Sequence, residues 1–182
     1  MDARAKPPEI RIGQAVLFLA GALFLVTVVA PEDARFYWTP LTLGLTYLGA
    51  AVVGGRHGGH WATACALTGW GAAVVYAGAV SPDLDIAGLY LAGAGLGMTA
   101  GLLLQRAGFG VDALGLAVTV LAAGLVLALT TQAVGVLDEA RTYAAAIAVV
   151  ALANLGLATR DVLASRRSAE APAPGAARKE LT

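Results

Sequence analysis

Three acid–tyrosine pairs and two histidines are the side chains of this sequence best placed to do chemistry. Glu32, Ala34 and Tyr37 fit the pattern acid-x-Ala-x-x-Tyr. Asp85, Ala87 and Tyr90 fit it again, as do Asp138, Ala140 and Tyr143, at a constant interval of 53 residues. Three carboxylates and three phenol rings around one mouth would attract a cation or a quaternary amine, by charge and by cation–π contact. The spacing also has a structural meaning. An acid at a helix start accepts hydrogen bonds from free backbone N–H groups and meets the positive end of the helix dipole. A tyrosine one turn further in stands where the aromatic belt of a membrane protein forms.

The histidines, His57 and His60, belong to the turn GGRHGGH and are the only two in the chain. Zinc takes three protein ligands in a catalytic site and four in a structural one. Cys65, the single cysteine, lies in an apolar run, and Asp112 belongs to a different turn. The pair is therefore a poor metal site, and neither metal nor cofactor is expected. One cysteine also excludes an intrachain disulfide and a CxxC redox pair.

Enzymatic chemistry finds no residue set. The serines, Ser81, Ser165 and Ser168, all lie outside the apolar runs, and no HExxH or phosphate-cradling loop occurs. No lysine and no convincing carboxylate falls within an apolar run. A buried ionisable group, the usual mark of a coupled transporter, is thus not in view. The expectation is a protein that is not an enzyme.

The elements that must position these residues follow from composition. Of the 182 residues, 58% are apolar and 13% charged, and the mean hydropathy is +0.74. A soluble domain carries about 25% charged residues, so water cannot be the main solvent. Six apolar runs are legible: Ile12–Ala30, Thr39–Gly54, Trp61–Val80, Ile86–Leu104, Val111–Ala133 and Tyr143–Ala158. A helix needs about 20 apolar residues to cross a bilayer, and helices are the form that satisfies backbone groups there. The first run is longer than the roughly 7–15 residues of a secretory signal core, and reads as a retained helix. The fold expected is all-α: a polytopic bundle of six transmembrane helices.

Charge placement orients the bundle. With both termini cytoplasmic, Arg4, Lys6, Arg11, Arg56, Arg106, Arg160, Arg166, Arg167, Arg178 and Lys179 share that side, leaving Arg35 and Arg141 outside. Such a bias in short loops is what sets orientation. Residues 1–11 then form a cytoplasmic segment, 12–160 the membrane domain, and 161–182 a disordered cytoplasmic tail. The 53-residue interval divides the membrane domain into three helical hairpins, about 12–56, 61–106 and 111–160. Copies of a two-crossing unit keep one orientation and are related by an axis along the membrane normal.

Within a bilayer, small residues and polar contacts hold helices together. Gly93, Gly97 and Gly101 form one stripe of the fourth run, suited to close packing. Asn154, deep in the sixth, should seek a partner on another helix. The expected function is that of a non-enzymatic accessory or scaffold protein acting through helix–helix contacts. Its partners would be the lipid bilayer and, through those contacts, other membrane proteins or a second copy, with no nucleic acid. The alternative is a small transporter or channel along a pseudo-threefold axis, with an acidic outer mouth. The Ala/Gly/Val-rich helices point to a GC-rich bacterial source, hence a bacterial plasma membrane.

Overall fold

A computed structural model describes residues 7–31, 33–80, 85–130 and 139–170. Six α-helices follow one another: α1 Pro8–Phe24, α2 Thr39–Gly54, α3 Trp61–Val80, α4 Ile86–Arg106, α5 Ala113–Thr130 and α6 Ala140–Glu170. No strand occurs among the described residues. Five helical stretches are long and apolar enough to cross a membrane: Pro8–Val29, Phe36–Gly54, Trp61–Val80, Ile86–Arg106 and Ala140–Ala164. In α5 the described apolar stretch is shorter, Ala113–Val126. The bundle end at which α1 begins is here termed proximal, and the opposite end distal.

Three helices start for a visible local reason. Pro8 opens α1, where its missing N–H is no loss. Asp85 caps α4, its carboxylate accepting from Gly88 N at 2.7 Å. Asp112 caps α5, accepting from Leu114 N and Gly115 N, both at 3.1 Å. The last turn of α1, Leu25–Val29, widens to a π-helix. There the Thr27 hydroxyl donates back to Leu23 O at 2.8 Å, a bond that bends helices. The widened turn sets Leu25 and Val29 in one buried cluster with Ala140 and Ala144 of α6.

Two boundaries differ from expectation. Residues 8–11, assigned from sequence to the N-terminal segment, are already helical. The tail expected from 161 is helical to Glu170. The reason is plain: no helix breaker follows Arg160 until Pro172, and basic residues tolerate a helix outside lipid. Residues 171–182 lie outside the described residues.

The interior is built by glycine. Gly97 of α4 meets the carbonyl of Cys65 and Cα of Ala66 on α3, where a Cβ would collide. A Cβ on Gly69 would stand 2.6 Å from Gly97 Cα, and one on Gly93 2.8 Å from Gly69 O. The stripe Gly93, Gly97, Gly101 is therefore buried, and its partner is α3 of the same chain. On the other side of α3, Gly44 of α2 leaves room for the Thr68 backbone and Gly71 for that of Leu41. Bulky side chains point outward: Leu91 is 76% exposed and Leu96 71%. That is the reverse of a water-soluble fold and suits a lipid surround.

Helix contacts run α6–α1–α2–α3–α4, with α5 resting on α3. They do not follow threefold symmetry among the described residues, because α3 packs on α4 along its length whereas α5 and α6 lie apart. Two neighbouring glycines should respond differently to substitution. Gly97→Ala forces a Cβ into the α3 backbone and should lower stability by about 1–3 kcal/mol, the cost of overpacking. Gly95, with open space around it, should accept alanine neutrally or gain up to about 1 kcal/mol. Reversible unfolding of both variants in mixed detergent micelles measures the contrast.

Candidate functional site

A cavity of about 490 Å³ lies across the middle of the bundle, bordered by α2, α3, α5 and α6, with its α3 wall running from Thr63 to Val74. Its origin lies in how α5 is held. Near the proximal end α5 packs tightly on α3. A Cβ on Gly115 would stand 3.3 Å from Ala62 Cβ, and the hydroxyls of Thr119 and Thr63 lie 3.3 Å apart. Further along nothing comes within reach of Gly124. A second, smaller cavity of about 300 Å³ opens on the α4 side of α5. Leu67, Trp70, Tyr90, Thr119 and Ala123 line both. The distal part of α5 thus stands away from its neighbours.

The walls of the larger cavity are aliphatic and aromatic, with Leu43, Leu67, Val74, Val126 and Ile147 among them. No Asp, Glu, Lys, Arg or His lines it among the described residues. Its polar groups are threonines and tyrosines. Thr39 is 2% exposed, and its hydroxyl has no hydrogen-bond partner.

The three tyrosines of the repeated motif all line this one cavity. Tyr37 comes to it from the turn before α2, Tyr90 from α4 and Tyr143 from α6, each near the distal end of the bundle. Tyr37 is held by Gly78 of α3, whose missing Cβ leaves room for the ring at 2.6 Å. The ring of Tyr143 lies 6.0 Å from that of Phe36. The acids of the motif have a different standing. Asp85 is engaged as the α4 cap, while Glu32 and Asp138 lie outside the described residues.

The histidines have separate surroundings. His57 is exposed. His60 turns inward, its ring 5.5 Å from Phe18 and 5.7 Å from Tyr47. It takes a positive φ of 69°, and its carbonyl accepts from Ala64 N at the start of α3. Among the described residues no group of three or more His, Cys, Asp or Glu could hold a metal ion. The glycine turn instead docks on its neighbour. Gly110 N donates to Arg56 O at 2.7 Å, the Arg56 guanidinium lies 5.2 Å from the Phe109 ring centre, and Trp61 stacks edge-on against that ring.

Polar residues of the interior depart from sequence expectation in one respect. Asn154 donates to Val150 O of its own helix at 2.9 Å, so the bond across helices expected of it is not made. An asparagine in a helix can reach the carbonyl one turn back, which satisfies the amide donor locally. Gln14 makes the interhelical bond instead, donating from α1 to Ala50 O of α2 at 2.8 Å while wholly buried. At the proximal end, Arg11 Nε meets Asp161 Oδ2 at 3.0 Å, with both side chains about five-sixths buried (16% and 15% exposed). This pair ties the first turn of α1 to the extended end of α6. Composition held no signal for it, because Asp161 reads as part of a tail.

Comparison with protein families, with curated proteins and with solved structures found no match. The chemistry of the site therefore rests on its own geometry. It offers a largely apolar chamber with threonine and tyrosine hydroxyls in its wall and no charged side chain among the described residues.

The Arg11–Asp161 bond should be measurable. A hydrogen bond to a charged group contributes about 1.5–3 kcal/mol, so Arg11→Ala and Asp161→Ala should show a coupling energy in that range. A double-mutant cycle on unfolding in detergent reads it. A coupling near zero would mean that the end of α6 is not held by α1.

Proposed function

We propose that the chain crosses a bacterial plasma membrane six times, with both termini cytoplasmic, and serves as a non-enzymatic accessory or scaffold protein. It acts through helix–helix contacts with other membrane proteins or a second copy. The observation that carries this reading is the bundle interior. Backbones meet at glycine, and among the described residues no ionisable side chain other than tyrosine enters the main cavity. Such an interior gives a stiff platform and offers neither a nucleophile nor a proton relay. Six crossings require α5, whose described apolar stretch is Ala113–Val126, to span as well. Arg56 in the turn after α2, Arg106 at the end of α4 and Arg160 in the proximal part of α6 support the cytoplasmic assignment of that side. The hairpin repeat is retained as the origin of the three tyrosines.

One observation favours the alternative, a small transporter or channel. Tyr37, Tyr90 and Tyr143 converge on one cavity, as an outer mouth would require. With no charged wall, its cargo would be neutral and largely apolar rather than a cation.

Thiol accessibility separates the two. With Cys65 replaced by alanine, single cysteines are placed at Ala122 of α5 and Ala146 of α6, both cavity-lining. A membrane-impermeant thiol reagent is then added from each side in turn. The scaffold reading predicts no reaction at either position, while a control cysteine at exposed Glu139 reacts from outside. Labelling of Ala122→Cys or Ala146→Cys would mean a water-filled pathway, and the transporter reading would replace it.

A further inference from the structure

Half of the chain's twelve aromatic residues line the larger cavity: Phe36, Tyr37, Tyr47, Trp70, Tyr90 and Tyr143. They reach it from α2 and the turn before it, from α3, from α4 and from α6. Tyr47 stands in the middle of α2 and Trp70 in the middle of α3. A belt at the membrane surface would keep its tyrosines and tryptophans at the headgroup level. Here the aromatic wall continues into the bundle and encloses a shared space.

The threonine hydroxyls of that wall differ in what they have left to give. Thr119 donates to Gly115 O at 2.7 Å, which uses its one proton. Thr63, 3.3 Å from Thr119, is then the donor of their contact. Neither has a proton to spare. Thr39 stands apart, being 2% exposed with a hydroxyl that meets no partner. Gln14 Oε1 and the Thr68 hydroxyl are also buried and unpartnered among the described residues, but only Thr39 lines either cavity. A buried hydroxyl without a partner is costly, and its retention calls for a partner that the chain does not supply.

From these observations we infer that the chamber binds one neutral, flat ring compound from the membrane that bears a carbonyl oxygen, of the quinone type. The ring lies among the aromatic side chains, and its carbonyl accepts the Thr39 proton. A volume of about 490 Å³ falls within the roughly 300–1,000 Å³ of small-molecule sites, which join apolar walls to a few placed polar groups. Flat rings gain from stacked or edge-on contact with aromatic side chains beyond the area they bury. The described walls hold no charged side chain, so the ligand is neutral. Because α5 and α6 lie apart, a way in from lipid is open between them.

Competing occupants fit less well. A hydrocarbon chain would leave the Thr39 hydroxyl unpaired and make no use of the rings. An ion would find no charge. A buried water needs 2–4 hydrogen bonds, and one at Thr39 would leave the rest of the chamber empty. The inference goes beyond the scaffold reading and does not depend on it, because one chain forms the whole chamber.

The probe is radiolabelled 2,3-dimethyl-1,4-naphthoquinone, which has no open ring position for addition to Cys65. The full chain is held in lipid nanodiscs, and partition into empty nanodiscs is subtracted. The expected result is one saturable site per chain. Its oxygen-free counterpart, 2,3-dimethylnaphthalene, should need about 3–10-fold more to displace the probe, the worth of one neutral hydrogen bond. Thr39→Val, which removes only the unpartnered hydroxyl, should weaken the probe by the same factor and leave the hydrocarbon's affinity unchanged. Ala122→Phe with Ala146→Phe should abolish the site, whereas Leu96→Phe on the exposed side of α4 should not.

Binding no greater than partition would overturn the inference. So would a saturable site that survives the filled variant with its helical circular dichroism signal intact, because the ring would then sit elsewhere. Equal affinity for the two compounds, or a Thr39→Val variant that binds the probe as tightly as the native chain, would leave an apolar occupant such as a lipid chain and overturn the carbonyl-bearing class.

Discussion

Close approach of helix backbones is the interaction on which the rest of the bundle depends. Lipid supplies no hydrophobic drive between apolar helices, so attraction comes from packing and from polar contacts at short range. A side chain larger than hydrogen at Gly97, Gly69, Gly44 or Gly71 would separate the helices on either side. All four contacts involve α3. This helix is the spine of the molecule, with α2 on one flank, α4 on another and the proximal part of α5 on a third. The chain from α1 to α4 and the return of α6 onto α1 are arranged around it, and Gln14 and the Arg11–Asp161 pair fix the α1 side.

The cavity is a consequence of where that small-residue packing stops. On α5 the contact with α3 is made by Gly115 and Thr119, while Leu116 meets Gly101 of α4, all in its first two turns. Beyond them come Leu121 and Leu125, 63% and 54% exposed, and a glycine that touches nothing. Here Ala122 and Ala123 face the space without reaching its far side, so this part of α5 stands off from α2 and α6. A largely apolar space remains across the middle of the bundle. In water such a space would be filled by collapse of the bundle. In a bilayer the surrounding solvent is itself hydrocarbon, and the space can persist as a site.

How much of this was legible in the sequence depended on whether the signal was local. Helix positions followed from apolar runs, and the cap at Asp85 from an acid beside such a run. The stripe of Gly93, Gly97 and Gly101 announced a contact surface, because four-residue spacing stays on one helix face. Its partner was not legible, since α3 shows no matching stripe: Gly69, Ala66, Ala73 and Cys65 build the surface from mixed small residues. The convergence of the three tyrosines was visible as a register, but its carbon-walled setting was not. Cavity walls are contributed by four helices whose separation no single segment encodes. Asn154 misled because polarity in a span implies a partner without saying which. Its own helix supplied one, and the less central Gln14 crossed between helices. The end of α6 was misjudged from its charges, although nothing in residues 161–170 breaks a helix.

The α3–α4 contact is the part of the account that the most direct measurement can reach. A Cβ placed on Gly101 would lie 3.6 Å from Cβ of Cys65, within the roughly 3.5–4.5 Å that a disulfide requires. The variant Gly101→Cys, in membranes under mild oxidation, should therefore form an intrachain disulfide with the native Cys65. The bond would appear as loss of both free thiols after denaturation, with the monomer keeping its mass. If both thiols remain free, or if oxidation yields only disulfide-linked dimers, α3 and α4 do not meet along this stripe and the glycine-built spine described here is wrong.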